Sequence, residues 1–88
     1  MPPITIYTTA FCPYCSMAKR LLSQKGAGFE EIDVGGRPAL REEMTRKAGG
    51  RHTVPQIWIG DRHVGGCDDL YELDAAGELD PLLAGSPR

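Results

Sequence analysis

Two cysteines of this chain stand close enough to react with each other, because Cys12 and Cys15 enclose only Pro13 and Tyr14. Proline suits the first position of a helix, so Pro13 predicts a helix whose N-cap is Cys12. The free backbone N–H groups and the helix dipole favour an anion there. We therefore expect Cys12 to be the nucleophile that attacks a disulfide sulfur. Cys15, one turn deeper, is expected to resolve the mixed disulfide.

A metal site is the alternative interpretation of the cysteine pair. A Cys-x-x-Cys sequence can form half of a zinc site, but such a site needs a second pair of ligands. His52, His63 and Cys67 could supply them only from separate loops, without tight spacing. A pair that follows a strand and opens a helix is typical of redox sites, so redox chemistry is favoured and no metal is expected.

Composition limits the classes to which this chain can belong. Its 88 residues, 41% hydrophobic and 25% charged, suit one small folded domain spanning residues 1–88. The net charge of −2 with mixed signs gives no basic stripe for nucleic acid. The small and odd number of three cysteines argues against a secreted domain held together by disulfides. Without a membrane-length apolar run or a signal-peptide pattern, we expect a cytoplasmic protein that binds no membrane.

The elements that must position the cysteine pair begin with a βαβ unit. Residues 4–7 predict a strand, and the helix that opens at Pro13 ends near Gly26 and Gly28. An apolar stripe supports that helix: Met17, Ala18, Leu21 and Leu22. Residues 29–34 predict a second strand. Such a unit normally has parallel strands and a right-handed crossover.

The second half of the chain predicts a helix, a hairpin and a final helix. Pro38 opens a helix that ends at Gly49-Gly50, and residues 56–64 predict a β-hairpin. Asp68 or Asp69 is expected to cap the last helix, with Glu72 completing a pattern like a capping box. This short helix is expected to break near Gly77, and residues 85–88 to form a loose tail. The predicted order is βαβαββα.

Three motifs in this order identify a family resemblance. Cys12-Pro13-Tyr14-Cys15, Thr53-Val54-Pro55 and Gly65-Gly66-Cys67-Asp68-Asp69 together resemble the dithiol glutaredoxins of the short bacterial type, over almost the whole chain. The resemblance implies an α/β, thioredoxin-like fold with a four-stranded mixed sheet flanked by three helices. It also implies a glutathione-dependent thiol–disulfide oxidoreductase that reduces protein–glutathione mixed disulfides and protein disulfides.

The resemblance further implies a glutathione site, with glutathione as co-substrate and no tightly bound cofactor. A cis Val54–Pro55 bond would turn the Val54 backbone toward the glutathione peptide. The γ-glutamyl end would meet the helix start and Asp69, while Arg51, assisted by Arg41 or Arg37, would meet the glycine carboxylate. The implied contact residues are Tyr14, Arg51, Thr53, Val54, Pro55, Gly66, Cys67, Asp68 and Asp69.

One position departs from the family pattern. Thr9 stands where many glutaredoxins carry lysine, so weaker glutathione binding is expected, and Phe11 could supply an apolar wall instead.

Two alternative functions stay open: an electron donor reduced by thioredoxin reductase, or an iron–sulfur or metal carrier that uses Cys12. Expected partners are glutathione and disulfide-bearing or glutathionylated proteins, ribonucleotide reductase being a family-level example. A monomer is the default.

Overall fold

The computed structural model describes residues 2–85. Within them lie four strands and four helices, in the order β1 (Ile4–Thr8), α1 (Pro13–Gln24), β2 (Glu30–Asp33), α2 (Pro38–Lys47), β3 (Gln56–Ile59), β4 (Arg62–Gly65), α3 (Cys67–Ala75) and α4 (Leu79–Leu83). The predicted strands and the predicted first two helices are all present, with bounds shifted by one or two residues at most. No helix in this part of the chain is long and apolar enough to cross a membrane.

The strands of the described residues form one mixed sheet in the order β2-β1-β3-β4. β1 pairs parallel with β2, as the βαβ pattern predicted, and antiparallel with β3. β3 and β4 form the predicted antiparallel hairpin. The thioredoxin-like fold class is therefore confirmed. This order places β1 and β3 at the centre, so the loop after β1 and the loop before β3 lie side by side.

Each face of the sheet carries its own apolar core. Alternate residues of β1 and β3 point to the face covered by α1, α3 and α4. The larger of the two cores lies on this face, and the strands contribute Ile4, Ile6, Ile57 and Ile59 to it. The opposite face packs on α2 through Tyr7, Val34 and Met44. Burial on both faces fixes the register of the central strands, because a slip of one residue would exchange the two faces. The sheet is thus a firm support for the loops at its end.

The C-terminal region differs from the single final helix that was predicted. Helix α3 ends at Ala75, and Gly77 turns the chain with a φ of +73°, a conformation that suits glycine. The short helix α4 follows because Leu79, Leu82 and Leu83 bury their side chains in the larger core. The described residues therefore contain four helices instead of three. Residues 86–88 of the predicted tail lie outside the described residues.

The start of α3 also differs from the prediction. Its N-cap is Gly66, whose backbone N–H donates to the Asp69 carboxylate at 2.8 Å. Asp69 therefore sits at the third position of the helix, where its side chain reaches back to the cap, and Asp69 is not itself the cap with Glu72 as its partner. The helix begins earlier because Cys67 and Leu70 are buried and hold the first turn against the core.

Candidate active site

Cys12 occupies the N-cap of α1, as predicted. Its backbone is extended, with φ −107° and ψ 104°, and Pro13 takes the first helical position. The Cys12 Sγ atom accepts the Cys15 backbone N–H at 3.1 Å and lies 3.9 Å from the Val54 carbonyl oxygen. The Cys15 N–H and the positive end of the helix dipole both point toward this sulfur. Cys12 is half-buried, so its sulfur remains accessible to a disulfide.

Cys15 lies deeper in the protein than Cys12, as predicted. Its side chain is only 2% exposed and lies on the core side of α1. Burial, reinforced by the hydrogen bond with Cys12, raises the pKa of Cys15 to about 12. Cys15 is therefore a neutral thiol at pH 7, and its backbone N–H donates to Cys12 Sγ. The two sulfurs are chemically distinct, which is what a nucleophile and a resolving thiol require.

The third cysteine is also held as a neutral thiol. Cys67 is 5% exposed, and burial, followed by the negative charge of Asp68 and of a Cys12 thiolate, raises its pKa. We expect iodoacetamide at pH 7 to alkylate Cys12 alone, with Cys15 and Cys67 reacting at least about 100-fold more slowly. Peptide mass spectrometry after timed quenching measures these rates. Cys12→Ser is the control and should acquire almost no adduct in the same time, whereas comparable rates at all three cysteines would contradict the assignment.

A cavity of about 160 Å³ is lined by Val54, whose carbonyl oxygen lies 3.9 Å from Cys12 Sγ. The structure brings together all nine residues for which glutathione contacts were expected, and they line this cavity: Tyr14, Arg51, Thr53, Val54, Pro55, Gly66, Cys67, Asp68 and Asp69. They come from the start of α1, the loop before β3 and the start of α3. The Val54–Pro55 bond is cis, as expected. Three segments that are distant in sequence thus build one site.

Opposite charges meet within the cavity. Arg51 Nη2 lies 3.1 Å from Asp69 Oδ2, and the same oxygen accepts the Gly66 N–H. The Gly66 N–H, with Arg51 adding to its effect, holds the pKa of Asp69 below its ordinary value. Asp69 is therefore ionised throughout the neutral range. Arg51, expected to face a ligand carboxylate, is paired within the protein in this structure.

The other basic residues and Phe11 lie apart from the cavity. Arg41 donates to the His52 carbonyl oxygen at 2.9 and 3.2 Å and so braces the loop that carries Arg51. Arg37 is the N-cap of α2. Neither of them, nor Phe11, is among the described residues that line the cavity. Phe11 is fully exposed with a φ of +58°, so it does not form the expected apolar wall in this structure.

Gln56 and His63 are the residues near the site whose contacts sequence reasoning missed. The Gln56 side chain is fully buried and bonds both to Thr53 and to His63. Burial, with the nearby Arg51 charge, lowers the pKa of His63, and Asp69 acts in the opposite direction. The sequence signal that could have pointed to these contacts is a polar glutamine at a strand position directly after the Thr53-Val54-Pro55 motif. Within residues 2–85, His63 is not part of any group of three or more His, Cys, Asp or Glu side chains that could hold a metal ion.

A dithiol site at the end of a thioredoxin-like sheet defines a class of protein, the thiol–disulfide oxidoreductases. Comparison with known proteins specifies the family. The Glutaredoxin family model matches residues 4–64. The chain is 63% identical over 84 residues to a glutaredoxin of Pseudomonas aeruginosa, covering 96% of this chain and 99% of that protein. It is 58% identical over 83 residues to glutaredoxin 3 of Escherichia coli K12, covering 94% and 99%.

A solved structure agrees with this assignment. The crystal structure of the buckwheat glutaredoxin–glutathione complex matches with a TM-score of 0.88 and 32% identity, covering 96% of this chain and 78% of that chain. The chain therefore belongs to the glutaredoxin family and is a thiol–disulfide oxidoreductase with a redox-active cysteine pair.

Proposed function

We propose that the enzyme draws its electrons from glutathione and reduces protein–glutathione mixed disulfides and protein disulfides. The observation that carries this proposal is the cavity beside Cys12, which combines the Val54 backbone with an acidic and a basic side chain. Glutathione is a short extended peptide with charged groups at both ends. Its backbone suits pairing with Val54, and its termini suit Asp69 and Arg51.

The ion pair inside the cavity is compatible with this ligand. The side chains of Arg51 and Asp69 remain 47% and 37% exposed, and pairs of such exposure contribute little stability. The pair can therefore exchange its mutual contact for the ligand's carboxylate and ammonium at small cost. Asp69 also keeps free acceptor positions on its carboxylate, because Oδ2 makes both of the contacts described. The N-terminus of α3 adds backbone donors for an anion.

Reduction of a mixed disulfide then needs only Cys12. The Cys12 thiolate attacks the glutathione sulfur, a Cys12–glutathione bond forms, and the client leaves as a thiolate that takes a proton from water. The thiolate of a second glutathione attacks the bound glutathione sulfur. Oxidised glutathione departs, and the Cys12 thiolate is restored. The net change consumes one glutathionylated thiol and one glutathione.

Reduction of a protein disulfide also needs Cys15. Attack by Cys12 leaves a mixed disulfide between Cys12 and the client. Cys15 gives its proton to the departing client thiolate and attacks the Cys12 sulfur, which forms the Cys12–Cys15 disulfide. Two glutathione molecules reduce that bond. The high pKa of Cys15 fits this order, because a neutral thiol stays inactive until the client is bound.

The proposed setting and partners follow from this chemistry. Glutathione is kept reduced in the cytoplasm, so we place the enzyme there, with glutathione as co-substrate and no tightly bound cofactor. Its clients are disulfide-bearing or glutathionylated proteins, with ribonucleotide reductase as a candidate. A monomer can carry out every step, since all groups named in the mechanism come from one chain.

Steady-state reduction of a glutathionylated peptide tests the proposal. One arm contains glutathione, glutathione reductase and NADPH, and the other contains thioredoxin reductase and NADPH without glutathione. We expect NADPH consumption that depends on the enzyme in the first arm only. Turnover in the second arm alone would overturn the proposal in favour of an enzyme coupled to thioredoxin reductase. Absence of turnover in both arms would refute it outright.

A further inference from the structure

The fully buried amide of Gln56 joins two parts of the molecule that sequence does not connect. Its Nε2 atom donates to the Thr53 carbonyl oxygen at 3.0 Å and lies 3.3 Å from Thr53 Oγ1. Its Oε1 atom lies 2.7 Å from His63 Nε2. A buried amide is tolerated when its donors and acceptor are satisfied, and this one has partners at both ends.

The bonding partners fix the proton on His63. The Thr53 carbonyl can only accept, so the amide nitrogen of Gln56 must face it. The amide oxygen then faces His63, and because that oxygen can only accept, His63 Nε2 must donate. The chain of donors therefore runs in one direction, from His63 through Gln56 to Thr53. Both the neutral Nε2–H form and the charged form of His63 can hold it.

The register of the hairpin places His63 on the same face of the sheet as Gln56. Ile59 pairs with Arg62 across the two-residue turn, and Trp58 therefore pairs with His63. Directly opposed residues of an antiparallel pair share a face, and so do residues two apart on one strand. The imidazole of His63 thus lies on the face that carries both Trp58 and Gln56.

The imidazole is held in place by an aromatic cluster. The ring of His63 stacks on Trp58 with centroids 4.6 Å apart and an angle of 27°. Trp58 meets Tyr7 edge-on at 5.3 Å, and the ammonium of Lys47 lies 5.4 Å from the Trp58 centroid. A ring stacked in this way loses little further entropy when it donates its hydrogen bond.

We infer that His63 is a positioning residue for the active-site loop, acting through Gln56 on Thr53. The residue after Thr53 carries the carbonyl oxygen that lies 3.9 Å from Cys12 Sγ and the backbone proposed to pair with glutathione. Neither His63 nor Gln56 is among the described residues that line the cavity. Their effect on the reaction is therefore indirect, through the placement of this loop. The kinetic consequence rests on the proposed function, but the structural consequence does not.

His63→Phe is the decisive variant, because phenylalanine keeps the stacking on Trp58 and lacks a donor. The buried Gln56 oxygen then loses its partner, so the amide must seek another orientation and release Thr53. We expect the KM for a glutathionylated peptide to rise about tenfold while kcat stays within about threefold of wild type, since ground-state binding is what the loop supports. His63→Gln, which restores a donor, should recover most of the lost affinity.

Lys47→Ala is the matched control. It removes another member of the same aromatic cluster without touching the hydrogen bonds of Gln56. Its KM should remain at the wild-type value. An equal rise in KM for Lys47→Ala and His63→Phe would overturn the inference, because the effect would then come from the cluster as a whole.

Nuclear magnetic resonance without glutathione decides the structural part independently. The ¹⁵N shifts of wild-type His63 should show a proton on Nε2, and hydrogen exchange of the Gln56 side-chain amide should be slow. In His63→Phe, exchange of the Gln56 side-chain amide should accelerate at least about tenfold, because the bonds that protect it are released. An Nδ1–H tautomer in the wild type, or unchanged exchange in the variant, would refute the inference even if turnover with glutathione is normal. If His63→Phe does not fold, two measurements still decide the inference: the tautomer of His63 in the wild type, and exchange of the Gln56 side-chain amide in His63→Gln, which should stay slow.

Discussion

Replacement of Cys12 by serine is expected to lower the turnover of every disulfide substrate by about 10³-fold or more. The reason is that Cys12 is the least buried of the chain's three cysteines and lies at the N-cap of α1, where the Cys15 N–H points at its sulfur. Cys15 and Cys67 are buried, and the pKa of each is raised, so neither can replace it at neutral pH. The measurement is NADPH consumption in the glutathione-coupled assay, with circular dichroism to verify the fold of the variant.

Cys15→Ser is the matched comparison, because it removes the other sulfur of the same pair. We expect it to reduce a glutathionylated peptide within about threefold of wild type, since that route uses Cys12 alone. With a protein disulfide as substrate, it should stall as a mixed disulfide with the client, which non-reducing electrophoresis detects. Equal activity of Cys12→Ser and Cys15→Ser on the peptide would contradict the assigned roles.

A second large effect is expected at Gly65, where β4 meets α3. Its φ is +111°, which side chains rarely adopt, and a Cβ there would overlap the Asp69 carboxylate and come within 2.5 Å of Arg51 Nη1. Gly65→Ala should therefore push apart the two charged groups proposed to bind the ends of glutathione. We expect the KM for glutathione to rise by about tenfold to a hundredfold, because hydrogen bonds to charged groups contribute about 1.5–3 kcal/mol each. Strain and overlap together should lower the free energy of unfolding by about 2–4 kcal/mol.

Gly26→Ala separates backbone strain from displacement of the charged pair. Gly26 has a φ of +72°, and no atom of the described residues lies within 4 Å of a Cβ built there. It follows the C-terminal end of α1, whereas the cysteines are at the start of that helix. We expect Gly26→Ala to lower the free energy of unfolding by about 1 kcal/mol and to leave KM unchanged. A KM for Gly65→Ala equal to that of wild type would show that the Arg51–Asp69 pair does not take part in binding.

Much of the site could be predicted from sequence because its parts are short motifs with local geometry. Pro13 after Cys12 fixes a helix start, and both Cys12 at the N-cap and the burial of Cys15 are confirmed. The nine residues expected around glutathione line one cavity, although their contacts with glutathione stay a prediction. The sequence predicted a break in the final helix near Gly77 but not the separate helix that follows it. That helix forms because Leu79 is buried, and its burial depends on the rest of the core.

The sequence by itself determined the order of the four strands and of the first two helices, and the family, since these depend on residue types and spacings along the chain. The roles of the two cysteines stay a prediction. Tertiary structure decided which groups meet across the chain. The Arg51–Asp69 pair and the capping of Gly66 by Asp69 depend on where α3 begins against the core. The contact between His63 and Gln56 depends on how the two side chains pack on one face of the β3–β4 hairpin, which spacing along the chain does not show. Burial likewise raises the pKa of Cys15, because desolvation of a thiolate is a property of the packed core and not of local sequence.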